Sequence, residues 1–232
     1  MKKPLVTLAV FVLLVTGCGS LMANLADEET RKLEPFSGIA ISISADVFYT
    51  TGNNYEIRIE GNGSDVKDLI SEVEDGILKL RYENWKVSRS KLTIYITSRE
   101  LNRVSVSGSA KFRSEKSVNS EEMSLSISGS GSVLFTSLNS KEMEVKISGS
   151  GDVFLEKGES EEMDVKISGS GKLNAEYFKV SELSAGISGS GSCRITVTDE
   201  LEARISGSGS VYYHGDPEVD SRSSGSGKVK SL

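Results

Sequence analysis

The sequence predicts an all-β fold: a parallel β-helix-like solenoid with short rungs of about 18–21 residues, preceded by an irregular β-rich N-terminal region. Three observations predict it. The phrase Ile/Val-Ser-Gly-Ser-Gly/Ala recurs, beginning at Val106, Ile127, Ile147, Ile167, Ile187 and Ile205, with a degenerate copy at Ser223. The intervals are 21, 20, 20, 20, 18 and 18 residues. On both sides of each phrase apolar residues occupy alternate positions, the period of a strand with one buried face. The two glycines inside the phrase fall on that same parity, where the lack of a Cβ lets the backbone turn a corner.

The chain opens with Lys2 and Lys3, then an apolar stretch from Leu5 to Val15 that is too short to span a bilayer as a mature helix. It leads into Val15-Thr16-Gly17-Cys18, which resembles a bacterial lipobox. The expectation is a lipoprotein signal peptide over 1–17 and lipid attachment at Cys18; a plain secretory signal with an incidental Cys18 is the alternative. Acyl chains anchor through about 0.8 kcal/mol per buried methylene, so several together hold firmly. Residues 18–35 are polar, with a charge run at Asp27-Glu28-Glu29, and read as a tether.

A single β-solenoid domain is expected over 36–232, with the irregular region at 36–100 and regular rungs and a C-terminal cap at 101–232. In the irregular region Ile39, Ile41, Ile43 and Val47 alternate. The run Ile43 to Phe48 reads as a shortened Ile147-to-Phe154, hence a degenerate first rung. Tyr55 to Ile59 is a strand. Val66, Leu69, Ile70 and Val73 have helical spacing after Ser64, a candidate N-cap. Asp75-Gly76 is a hairpin turn leading into Ile77–Tyr82, and Leu92, Ile94 and Ile96 make another strand.

Within 101–232 each rung reads strand, glycine corner, strand, polar return loop, as from Met143 through Val145, Ile147, Val153 and Leu155. Ser-Gly-Ser-Gly alone would suit a flexible linker, but a linker has no reason to carry apolar residues in fixed register on both sides. In a stack Lys146 lies over Lys166 and Glu144 over Asp164, with diagonal Glu–Lys contacts offsetting the like charges. The serines around the first glycine, such as Ser148 and Ser150, form ladders. In the last rung Val219, Ser221 and Ser223 replace Leu201, Ala203 and Ile205, and Lys228 and Lys230 flank Val229, as suits an end rung.

Composition narrows the chemistry. The net charge is −6, and it becomes −8 once residues 1–17, with two lysines and no acid, are removed. That excludes nucleic acid, whose binding needs clustered cations. Cys193 aligns with Val133, Val153, Leu173 and Val211 and reads as a core residue rather than a reactive thiol. His214, the lone histidine, sits in a Gly-Asp-Pro turn. Asp152 follows one glycine phrase where Ser132, Lys172 and Ser192 follow others, so no calcium ladder recurs. Rows of serine rather than threonine disfavour ice binding. No catalytic, cofactor-binding or metal-binding residue is predicted.

Phe36-Ser37-Gly38-Ile39, Asp75-Gly76-Ile77-Leu78, the serial Ser-Gly-Ser-Gly rungs and the terminal Gly215-Asp216-Pro217 with Gly225-Ser226-Gly227-Lys228-Val229 together resemble the putative auto-transporter adhesin head GIN domain family. The resemblance covers roughly 35–232. It implies a right-handed parallel β-helix-like solenoid on a bacterial envelope protein and transfers no catalytic motif. The expected function is non-catalytic: a lipid-anchored binding or adhesion module at the outer membrane or cell surface, with a glycan or cell-surface protein as partner. The alternative is a structural or stress-related envelope component without its own ligand, able to oligomerise through its terminal rung. A polysaccharide-active enzyme ranks third, because its chemistry needs convergent acid and base groups and the acids here lie mainly in return loops.

Overall fold

The computed structural model describes residues 27–83 and 89–232; the expected signal peptide over 1–17 and Cys18 lie outside them. It is a β-solenoid of about six turns.

Some of the expected tether is a strand. β1 (Asp27–Lys32) has no apolar residue, yet it pairs antiparallel along its whole length with a later strand, Lys32 opposite Glu56 and Asp27 opposite Gly61. Arg31 fixes it. Its guanidinium donates to the Leu69 carbonyl (2.6 Å), the Val66 carbonyl (2.8 Å) and Ser71 Oγ (2.9 Å). The polar strand is held by backbone pairing and one arginine, which apolar periodicity cannot signal.

β2 (Gly38–Ile41) and β3 (Ala45–Thr51) form the first rung. Ile41 pairs with Val106 and Val47 with Phe112, so Ile41, not Ile43, is the counterpart of Ile147. The corner is therefore full length: Ile43 and Ala45 stand where later rungs carry their two glycines. β4 (Glu56–Gly61) follows, then α1 (Gly63–Asp68), β5 (Ile70–Glu74) and β6 (Ile77–Arg81). The N-cap of α1 is Asn62 rather than Ser64; Asn62 Oδ1 accepts from the Ser64 N–H at 3.1 Å. β5 and β6 form the expected hairpin, with positive φ at Asp75 and Gly76. β7 (Leu92–Ser98) completes a second rung with β6.

The rungs do not stack in sequence order. β2 pairs in parallel with β6 on one side and with β8 (Arg103–Gly108) on the other. β3 likewise lies between β7 and β9 (Lys111–Ser114). The chain thus starts in the second layer, folds outward to build the end, and returns. β4 and β1 extend the β7 edge antiparallel, and β5 extends the β6 edge.

From β8 onward the stack is regular: β10 (Val118–Gly129) with β11 (Ser132–Phe135), β12 (Leu138–Gly149) with β13 (Asp152–Leu155), and β14 (Gly158–Gly169). β15 (Lys172–Gly189) and β16 (Ser192–Gly207) run through more than one face. β17 (Ser210–His214), β18 (Glu218–Gly225) and β19 (Lys228–Ser231) end the array. Register shifts between Ala175 and Lys179 and between Val180 and Glu182 absorb the shortening of the repeat. On the repeated phrase and the residues leading into it, equivalent residues pair in parallel in constant register, as in Met123–Met143–Met163–Leu183–Leu201 and Ile127–Ile147–Ile167–Ile187–Ile205–Ser223. All but the terminal serine of these are buried. Each apolar side chain loses water to copies above and below, at about 25 cal/mol per Å².

From the Ile127 copy onward this corner closes on two glycines. Gly149 has φ +112°, and a Cβ there would lie 2.7 Å from the Gly129 carbonyl oxygen. At Gly151 a Cβ would lie 2.5 Å from Ile127 Cγ2. The serine amides beside them continue the ladder, Ser150 N–H donating to the Gly129 carbonyl at 2.9 Å.

The expected return loop is itself a ladder. Val118 pairs with Leu138 and Ser120 with Ser140, while Glu121, a parity change, marks another corner. A rung thus has three faces: face A (as 142–149), face B (as 152–155) and face C (as 138–140). At most two buried apolar residues per rung, Leu138 in one and Phe178 with Val180 in another, supply the apolar content of face C, too sparse to read as a strand.

Candidate interaction surfaces

Register converts the repeats into columns of outward side chains, with strands about 4.8 Å apart. Face A carries three besides the serine file at its corner edge, Ser128, Ser148, Ser168, Ser188, Ser206 and Ser224. The first is Glu122, Glu142, Glu162, Glu182, Glu200 and Glu218, paired rung to rung. The second runs through Ser124, Glu144, Asp164, Ser184, Glu202 and Asp220, and the third through Ser126, Lys146, Lys166, Gly186, Arg204 and Arg222.

The ion pairs differ from the expected diagonals. Each cation of the third column pairs with the acid two residues earlier in its own strand: Lys146 with Glu144, Lys166 with Asp164 (2.8 Å), Arg204 with Glu202 and Arg222 with Asp220 (3.6 Å). Rungs lacking the acid, at Ser124 and Ser184, also lack the cation. The second and third columns therefore neutralise each other. The first has no such partner and leaves face A acidic. With the second column it lines a trough of about 560 Å³. The carboxylates stand in file rather than converging, and among the described residues no group of three His, Cys, Asp or Glu is placed to hold a metal ion.

Face B has the opposite character. Its central column starts at Arg58 of β4 and passes through Tyr95, Phe48, Arg113 and Leu134 to Phe154. It continues through Asn174, Arg194 and Tyr212 to Lys230. These positions alternate with buried ones, so the column faces outward along the whole stack. The Phe48 and Tyr95 rings stack with centroids 5.4 Å apart, and the Arg58 guanidinium lies 4.0 Å over the Tyr95 ring. Arg194 lies 5.6 Å from the Tyr212 centroid. The flanking column runs from Glu60, Thr93 and Asp46 through Lys111, Ser132, Asp152, Lys172, Ser192 and Ser210 to Lys228. From β9 onward face B holds six cations in these two columns against one acid, Asp152, in a chain of net charge −6.

Cys193 lies in the Leu173–Val211 column, fully buried, and burial alone pushes its thiol up to about 12. His214 closes β17, half-exposed, with Nε2 3.2 Å from Glu176 Oε1. Asp152 lies between Ser132 and Lys172 in register. These groups are not brought together. Cys18, where lipid attachment is expected, lies outside the described residues. Sequence reasoning missed both long columns. Aligning the copies on their Ile reveals them: a Glu recurs five residues earlier in six rungs, and the position seven residues later collects Phe48, Arg113, Phe154, Arg194, Tyr212 and Lys230.

Fold and surface define a β-solenoid whose side-chain columns form broad solvent-exposed faces. The chain belongs to the family described as "putative auto-transporter adhesin, head GIN domain", whose model matches residues 35–217. A putative adhesin from Bacteroides fragilis is 25% identical, with a TM-score of 0.85 over 89% of this chain and 97% of that one. A putative adhesin from Parabacteroides merdae is 23% identical, with a TM-score of 0.73 over 90% and 97%. A putative lipid binding protein from Parabacteroides distasonis is 20% identical, with a TM-score of 0.73 over 90% and 98%. No curated protein matches the chain.

Proposed function

We propose that this protein is a non-catalytic adhesion module of the bacterial cell envelope, held to its membrane by lipid on Cys18. The observation that carries the reading is the membership of residues 35–217 in an adhesin-named family. The fold match to the Bacteroides fragilis putative adhesin, complete over nearly all of both chains, supports it. The Thr16-Gly17-Cys18 sequence behind an apolar run supports the anchor. Rigid faces with long side-chain columns suit binding; carboxylates in file do not suit acid–base chemistry, which needs groups converging on one bond. The outer membrane or cell surface is the location this function requires.

The test compares cells carrying the wild-type chain, a deletion, and Cys18→Ala, scored for surface exposure by protease shaving and for attachment to host or biofilm surfaces. The proposal expects attachment to fall in the deletion, and exposure and attachment to fall in Cys18→Ala. Unchanged attachment in the deletion rejects adhesion; an unchanged membrane fraction in Cys18→Ala rejects the lipid anchor.

One observation favours a second reading, assembly through the last rung. β18 and β19 each have a neighbour on one side only, and Val219 is 39% exposed. Open strand edges accept further strands. A structural component would show concentration-dependent oligomers in sedimentation, lost when Val219 is replaced by Lys.

A further inference from the structure

We infer that the central column of face B binds a linear anionic polysaccharide laid along the solenoid axis. This rests on the adhesion reading and names its ligand class. The column interleaves ring faces with guanidinium and ammonium groups in single file. Aromatic faces pack against the C–H faces of pyranose rings, and arginine forks pair with carboxylates or sulfates. Strands about 4.8 Å apart advance by about one pyranose unit of an extended glycan, so one repeat of the protein meets one repeat of the ligand.

Two features of the column exceed what sheet stability requires. Cross-strand aromatic pairing explains Phe48 and Tyr95, which stack on each other. It does not explain Phe154, whose column neighbours are Leu134 and Asn174; Tyr212 instead has the Arg194 guanidinium 5.6 Å from its ring centroid. No ion pair among the described residues neutralises Arg113 or Lys230, whereas on face A every cation of the third column has an acid in its own strand. From β9 onward cations outnumber acids in the two face B columns, with Arg194 alone of them paired among the described residues, to Glu176 at 3.8 Å, so a polyanion is drawn to face B and repelled by the glutamate column of face A.

The geometry selects among anionic partners. A bilayer surface is a plane and would favour a broad apolar patch; here the rings form one file, flanked by Ser132, Asp152 and Ser192. The acidic face of a second copy would satisfy the cations, but its outward columns hold no apolar residue to cover Phe154 or Tyr212. A sugar polymer supplies both.

The experiment uses the full mature chain with three probes: polygalacturonate, neutral dextran, and phosphatidylcholine–phosphatidylglycerol vesicles. Retention on immobilised polygalacturonate is expected, weakening as salt rises, with none on dextran. Phe154→Ala/Tyr212→Ala and Arg113→Glu/Lys230→Glu should each weaken it about tenfold or more. Glu142→Gln/Glu162→Gln on face A should leave it equal or stronger. Unchanged thermal midpoints show that the face B variants fold. Binding to vesicles alone, binding indifferent to the face B substitutions, concentration-dependent self-association without polysaccharide binding, or no binding at all overturns the inference. The same face B variants are scored for whole-cell attachment. Attachment that the deletion abolishes but these variants retain overturns the polysaccharide site and leaves adhesion standing; attachment unaffected by the deletion overturns adhesion itself.

Discussion

Gly149 and Gly108 test whether contact with the rung below, beyond backbone conformation, limits a corner. Both have positive φ, but a Cβ at Gly108 meets nothing within 4 Å, whereas at Gly149 it meets the Gly129 carbonyl oxygen. Gly149→Ala should therefore destabilise by about 1–3 kcal/mol more than Gly108→Ala, the range for overpacking, read from urea unfolding midpoints. Equal effects would mean that conformation alone sets the cost. Cys193 gives a second test at this scale. Burial raises its thiol from 9.0 to about 12, so folding favours the neutral form. Its contribution to stability is fully present below pH 9 and declines as pH rises toward 12, because only the unfolded chain ionises there. Cys193→Val, which installs the residue found at Val153 and Val211, should flatten that decline relative to wild type. Native protein should not react with a thiol reagent at Cys193 until it unfolds.

Elements were legible where they are apolar and obscure where they are polar. Period-two alternation located β10 to β17, and Asp75-Gly76 located the hairpin. β1 escaped because its inward residues are Glu29 and Arg31, whose role depends on carbonyls roughly 35 to 40 residues away. Face C escaped because its apolar residues vary from none at Gly158–Ser160 to two at Phe178 and Val180, which sets up no repeating period. At this scale Arg31→Ala should release β1. Charge-assisted hydrogen bonds contribute about 1.5–3 kcal/mol each, so amide exchange in β1 and along the outer edge of β4 should accelerate sharply while β12 and β14 stay protected. Uniform acceleration would mean that β1 is integral to the stack rather than a clasp upon it. Glu29 shares this arginine: its direct hydrogen bond from Arg31 holds the carboxyl below its ordinary range.

Across the whole molecule, stacking order was the least legible feature. Nothing in local sequence says that β2 and β3 are covered by residues 77–98 before the array proceeds, because that order follows from pairing between distant strands. The charge columns were legible in principle, since they recur at fixed offsets, but they gain meaning only once the register is known. Six glutamates in file about 4.8 Å apart repel one another. Glu142→Gln/Glu162→Gln/Glu182→Gln should therefore stabilise the fold, by about 0.2–1 kcal/mol for each like-charge neighbour removed. The gain should shrink in high salt. A loss of stability would show that the column is held by cations the neutral variants cannot bind.

In-register stacking underlies every one of these surfaces, and distances along one column measure it directly. Spin labels at Ser128 paired with Ser188, Ser206 and Ser224 in turn, in a Cys18→Ser background, should report separations rising in equal steps of about 4.8 Å per rung. Separations that do not lengthen from Ser188 through Ser206 to Ser224, or that spread over a broad range, would contradict the stack and the columns built on it.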